Sequence, residues 1–225
     1  MADSDLTYPV PDTWRNSAWL DERTYRREYE RSLRDPGKFW MERAATLDWV
    51  TAPTQTRDVS YGPGDIHVRW FEDGKLNASV NCLDRHLGAR TAIIWEGDDP
   101  SQSRRISYTE LHADVCRLAN GLKSLGVGKG DRVAIYLPMV PEAAVAMLAC
   151  ARIGAVHSVV FAGFSPESLA NRIQDCGAQV LITADEGLRG GRRIAMKASA
   201  DEALKHCPSV KTSVVLRRTG GQVRR

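Results

Sequence analysis

The sequence predicts an α/β chain built on a doubly wound, mostly parallel sheet, with a helical and irregular wrapping segment in front of it. Three observations carry that expectation. From Arg132 to Arg193 apolar strand-like runs alternate with single helical patterns. Strands joined through one helix need a crossover, and such crossovers are parallel and right-handed. Residues 1–90 lack the alternation and hold five of the six tryptophans, so texture divides the chain into 1–90 and 91–225.

Within the first segment, Asp21 to Arg34 is a charged helical run in which Tyr25, Tyr29 and Leu33 fall four apart and share a face. Asp35-Pro36-Gly37 stops it, and a short helix follows through Phe39 and Trp40 to Leu47. The Pro, Thr and Gly content of Trp49 to Gly64 suggests an extended covering loop, with a short strand at His67 to Phe71. Asn77 caps a helix toward His86. Asp84 and His86 beside Arg85 read as a structural helix end rather than a catalytic group.

The second segment opens with a hairpin, Thr91 to Glu96 and Arg104 to Tyr108, around Gly97-Asp98-Asp99-Pro100. Ser107 and Glu110 form a capping box, and Leu111, Val115, Leu118, Leu122 and Leu125 form a core stripe ended by Gly126. Arg132 to Leu137 is a buried strand. Pro141 opens a small-residue helix closed by Gly154, and Val156 to Phe161 is the next strand. Ser165-Pro166-Glu167 starts a helix ended by Gly177, and Gln179 to Thr183 is the third strand. A helix near Asp201 to His206 and a strand at Thr212 to Leu216 complete the pattern.

Composition narrows the function classes. The chain of 225 residues is 43% apolar and 26% charged, which suits a globular protein and excludes disordered and collagen-like states. No apolar run approaches the ~18 residues of a membrane span, and Met1 to Asp5 is acidic where a signal peptide is basic, so no membrane and a cytoplasmic address are expected. A formal charge of +3 without a basic, aromatic-interleaved stripe argues against nucleic acid. The five widely spaced cysteines suggest neither a disulfide framework nor a metal knuckle and read as small apolar residues. No metal site is expected.

The candidate binding feature is Arg189-Gly190-Gly191-Arg192-Arg193, which follows the third strand. Ligands of open α/β sheets lie beyond the carboxyl ends of the strands, and this run places guanidiniums and bare backbone there. On spacing alone, an anion site and an exposed turn-rich loop fit it equally. Gly126-Val127-Gly128-Lys129-Gly130 has the composition of a phosphate loop but leaves a helix and enters a strand, the reverse order.

Longer motifs give a specific resemblance. Trp70 to Asn77, Asn81-Cys82-Leu83-Asp84-Arg85-His86, Tyr108 to Leu111, Leu137 to Glu142, Arg152 to His157 and Phe161 to Ser165 together resemble the N-terminal part of the acetyl-CoA synthetases, within the adenylate-forming acyl-CoA ligase superfamily. The resemblance implies the first portion of an adenylating large domain. In that family a carboxylate is joined to ATP, with Mg²⁺, as an acyl-adenylate, and the acyl group passes to CoA. It further implies CoA binding by Arg189, Gly190, Gly191 and Arg192, against the 3′-phosphate and adenine, and by Phe161 and Gly163 against the adenine. Arg193 falls outside the match. Ala162 stands where the family commonly has Gly, adding a methyl group near the proposed adenine.

By the same resemblance, acetate is the first expected substrate and propionate the second. The phosphate loop for ATP, the acyl pocket and the adenylation lysine would lie on further polypeptide, so no residue here is expected to be catalytic and the chain alone is expected to take CoA at most. A stand-alone CoA or nucleotide module, and an interaction subunit that completes its sheet with another polypeptide, remain as alternatives.

Overall fold

A computed structural model describes residues 7–221 and 223. The acidic run Met1 to Asp5 lies outside the described residues. The chain falls into two compact units, Met1–Leu76 and Asn77–Arg225.

In the first unit, α1 (Asp12–Ser17) precedes α2 (Glu22–Arg34) and α3 (Pro36–Ala44). Asp21 caps α2 by accepting from the Thr24 N–H. Asp35 serves both helices, because its N–H donates to the Arg31 carbonyl while its carboxylate accepts from the Lys38 N–H. Pro36 then sits at the first turn of α3, where its missing donor costs nothing. Tyr25 and Tyr29 stack with centroids 6.1 Å apart, as one shared helix face requires.

The expected covering loop is instead partly a sheet. Strand β1 (Trp49–Thr51) pairs with β4 (Lys75–Leu76), and β2 (Arg57–Gly62) pairs antiparallel with β3 (Asp65–Trp70). The Pro63-Gly64 corner, with Gly64 at φ 79°, lets the chain reverse between β2 and β3. Across this hairpin the His67 ring bridges Asp58 at 3.0 Å and Asp65 at 2.9 Å.

The second unit carries the predicted architecture. Helix α4 (Ala78–Cys82) starts at Asn77, whose side chain accepts from Ser79 and Val80, and a 3₁₀ turn over Asp84–His86 follows. Strands β5 (Thr91–Glu96) and β6 (Ser103–Ser107) form the expected hairpin, leading into α5 (Tyr108–Ser124) with the Ser107–Glu110 capping box complete. Leu111, Val115 and Leu122 are buried, while Leu125 past the helix end is exposed.

The central sheet has β7 (Arg132–Tyr136), β8 (Val156–Val159), β9 (Val180–Ala184) and β12 (Thr212–Leu216) in the order β12-β9-β7-β8, every pairing parallel. Between them run α6 (Pro141–Ile153), α7 (Pro166–Cys176), a small hairpin of β10 (Gly187–Arg189) and β11 (Arg192–Ile194), and α8 (Met196–Leu204). Helix α5 packs on α6 and α7 on α8, and β7 and β9 are buried along nearly their whole length. That is doubly wound packing. Gly154 (φ 76°) and Gly177 (φ 60°) end α6 and α7 in the left-handed conformation that favours glycine.

Two expectations need correction here. Helix α8 begins at Met196 rather than near Asp201, with no side-chain cap to mark its start. The cysteines are not uniformly interior: Cys150 and Cys207 are buried, Cys116 and Cys176 are intermediate, and Cys82 is exposed. Among the described residues no helix is long and apolar enough to cross a membrane.

Candidate functional site

Strand order sets the site. From β7 the chain moves to β8 on one side, then crosses back to β9 and β12 on the other, so the connections diverge at the β9–β7 boundary. Ligands of doubly wound sheets collect beyond the carboxyl ends of strands at such a switch point. Three loops converge there: Leu137 to Val140 after β7, Val160 to Ser165 after β8, and the β10–β11 hairpin after β9.

The hairpin is closed by Gly190 (φ 57°) and Gly191 (φ 72°), a two-residue turn with both central residues left-handed. This turn matches the twist of paired strands, and only residues without a Cβ enter it freely. Its register pairs Arg189 with Arg192 directly across the ladder. Like charges placed opposite each other repel. Both arginines are exposed, and neither has a carboxylate partner among the described residues.

Arg189 points its guanidinium at the ring of Phe161, 5.8 Å from the centroid. Phe161 meets Phe164 edge to face at 5.8 Å. A Cβ at Gly163 would lie 2.5 Å from the Phe161 ring, so a side chain there would displace that exposed ring from its present place. Buried Tyr136 fixes this loop from below, its hydroxyl donating to the carbonyls of Ala162 (3.1 Å) and Phe164 (3.2 Å). Burial pushes the Tyr136 phenol up, and a Ser199 hydrogen bond pulls it partly back. The extra methyl group of Ala162 packs against the hydrophobic core.

All six sequence-predicted residues thus lie at the strand tips, and the structure brings Arg189, Phe161 and Gly163 together around one ring. Arg192 stands across the turn from Arg189. Arg193 alternates to the other face and pairs with Glu186 at 3.0 Å.

Sequence reasoning missed two acidic residues. Asp98, in the β5–β6 turn, accepts from the Gly191 N–H at 3.1 Å, so the glycine turn already holds one carboxylate oxygen. Asp185, buried at the end of β9, accepts from the N–H groups of Glu186, Arg218, Thr219, Gly220 and Gly221 at 2.7 to 3.4 Å. Burial acts to raise its carboxyl, yet these bonds prevail and hold it below the ordinary range. The fastened segment also carries Arg218, stacked over Trp95 at 5.5 Å, whose indole N–H donates to Met139. Among the described residues no group of three His, Cys, Asp or Glu side chains is arranged to hold a metal ion.

Comparison with known proteins agrees with this architecture. The AMP-binding enzyme family model matches residues 83–223, and the acetyl-coenzyme A synthetase N-terminus model matches residues 25–82. Acetyl-coenzyme A synthetases of Bradyrhizobium diazoefficiens and Syntrophus aciditrophicus are 59% and 58% identical over 98% of the chain. The chain spans 34% of the length of each. The structure of an acetoacetyl-CoA synthetase from Streptomyces lividans superposes on 91% of the chain with a TM-score of 0.78 and 26% identity, the match covering 31% of that protein. The chain therefore belongs to the AMP-binding enzyme family, with a segment matching the acetyl-coenzyme A synthetase N-terminus ahead of the matched region.

Proposed function

We propose that this chain is the N-terminal third of a cytoplasmic, AMP-forming acetate–CoA ligase and contributes part of the CoA site. In this reading residues 1–90 are a family-specific wrapping segment and residues 91–225 the first α/β subdomain of the adenylating domain. The whole enzyme would use acetate, or propionate as the runner-up, with ATP, Mg²⁺ and CoA, the activation chemistry residing on further polypeptide.

The observation that carries the reading is the cross-strand Arg189–Arg192 pair, free of carboxylate partners and set beside the Phe161 ring. A phosphate between two guanidiniums relieves their repulsion and gains charge-assisted hydrogen bonds, while an adenine gains a stacking surface. Gly190 and Gly191 put no side chain between the two arginines, although the Gly191 N–H is already given to Asp98. Binding orients the cofactor and supplies no proton transfer.

The test has two arms. CoA should raise the melting temperature of the chain, and acetate, ATP, Mg²⁺ and CoA together should release no pyrophosphate. Turnover by the chain alone would overturn the assignment of chemistry elsewhere, and absence of any shift with saturating CoA would overturn the site. The interaction-subunit reading draws support from an apolar groove lined by Ile182, Val214 and Leu216 of the sheet and Leu118 and Val145 of α5 and α6. Persistence of a monomer at high concentration would count against it.

A further inference from the structure

The β10–β11 hairpin has three residues in each strand and pairs with no other strand. A two-stranded ribbon of that size is marginal in water on its own. It also carries three guanidiniums within five residues, Arg189, Arg192 and Arg193, and crowded like charges work against the pairing. Its base rests on Met196 and Pro138, which a Cβ at Gly187 would meet at 3.3 and 3.4 Å. Further out, hydrogen bonds must hold it. Among the described residues two reach out of the hairpin, and each ends on a carboxylate. At the turn the Gly191 N–H donates to Asp98 at 3.1 Å, and on the other face Arg193 Nη1 donates to Glu186 Oε2 at 3.0 Å.

Both carboxylates are themselves anchored. Asp98 belongs to the β5–β6 turn, which is closed by the Gly97 N–H on the Gln102 carbonyl at 2.8 Å and by the Ser101 N–H on Asp99 at 2.9 Å. The adjoining Trp95 donates to the Met139 carbonyl at 2.9 Å and stacks with Arg218. Glu186 Oε2 also accepts from the Thr219 hydroxyl at 2.6 Å. Arg218 and Thr219 both belong to the segment that Asp185 fixes through its backbone N–H groups. The contacts therefore close a ring, from the hairpin turn through Asp98 and Trp95 to Arg218, and back through Thr219 and Glu186 to Arg193. Neither carboxylate forms an ion pair with Arg189 or Arg192, so the negative charge that holds the hairpin leaves those two guanidiniums open.

We propose that Asp98 and Glu186 are positioning residues of the CoA site, fastening the β10–β11 hairpin so that Arg189 and Arg192 stand ordered for a phosphate. The inference rests on the CoA reading given above. Asp98 acts through the Gly191 backbone and Glu186 through Arg193, so neither is assigned a ligand contact. An ordered turn has less conformational freedom to lose when the phosphate binds, a difference of about three- to tenfold in affinity for each long side chain already held in place. The sign of the effect separates this role from simple electrostatics. Deleting a carboxylate near an anion site strengthens anion binding through charge alone, whereas deleting a fastener weakens it.

The experiment measures binding of CoA and of 3′-dephospho-CoA to the full chain and its variants by calorimetry, and follows amide exchange in parallel. Asp98→Ala and Glu186→Ala should each weaken CoA about three- to tenfold while leaving 3′-dephospho-CoA within about twofold of wild type. Both variants should exchange the amides of Gly187–Ile194 faster, with β7 and β9 still at the wild-type rate. Asp98→Asn keeps an oxygen for the Gly191 N–H and should restore both the affinity and the protection. Unchanged or tighter CoA binding in the alanine variants, an equal loss for the two ligands, or unchanged exchange in the hairpin would each overturn the proposal. Failure of the CoA reading has a different signature, because the wild-type chain would then bind the two ligands equally.

Discussion

Arg189 and Phe161, from loops that follow different strands, meet with the guanidinium carbon 5.8 Å from the ring centroid. The contact joins the β10–β11 turn to the loop after β8 and brings charge and an aromatic surface to one place at the sheet's carboxyl edge. Arg189→Ala or Arg192→Ala should each weaken CoA binding by roughly 1.5 to 3 kcal/mol, the worth of one charge-assisted hydrogen bond. Calorimetry at two ionic strengths checks this, because the wild-type affinity should fall with salt more steeply than that of either variant.

Gly191 adopts φ 72° at a turn with nothing near its missing Cβ, so a substitution there meets backbone strain and no clash. Gly191→Ala should cost about 1 to 2 kcal/mol of hairpin stability. Faster amide exchange confined to Gly187–Ile194 is the expected signature. Uniform destabilisation of the whole chain would contradict it.

Asp185 gathers backbone donors from Arg218 to Gly221 while buried at 2% exposure. Asp185→Ala should cost roughly 2 to 3 kcal/mol by stranding those donors, and should release the segment that holds Arg218 over Trp95. A change in Trp95 fluorescence should accompany the lower melting temperature.

Two ion pairs give opposite pH signatures. The hydrogen bond from Arg152 is the first cause that holds the Asp84 carboxyl below its ordinary value. A depressed carboxyl contributes stability above its unfolded pKa of ~3.9, lost as pH falls through the folded value, so Asp84→Asn should flatten the acid limb of the stability curve. His67 is raised, first by its hydrogen bond to Asp58 and then by Asp65. Its contribution is complete below the unfolded pKa of ~6.5 and disappears as pH rises through the folded value, so the protection of the β2–β3 amides, taken relative to intrinsic exchange at each pH, should fall in alkali and should not do so in His67→Gln. Titration of the His67 ring by NMR to a value below 6.5 would contradict that sign.

Helix ends were legible because single side chains mark them locally. Ser107 with Glu110, Ser165 before Pro166, and the left-handed Gly154 and Gly177 all lie where the pattern requires. Of the β2–β3 hairpin only the second strand is legible, as the short strand expected at His67 to Phe71; β2 is hidden because Pro63 and Gly64 weigh a short window toward loop although Val59-Ser60-Tyr61 alternates beside them. The start of α8 carries no capping side chain, leaving nothing to place it. At the site, the paired glycines and arginines are contiguous and therefore visible in sequence. The Asp98 contact with Gly191 spans 93 residues, and the Arg218 to Gly221 donors to Asp185 follow the neighbouring strand β12, separated from β9 in sequence by α8. Such partners are created by topology, which local periodicity does not encode.

The most direct measurement compares binding of CoA with that of 3′-dephospho-CoA. The two differ only in the phosphate assigned to Arg189 and Arg192, so CoA should bind at least about tenfold more tightly, the value of one charge-assisted contact. Equal affinity for the two ligands would contradict the account.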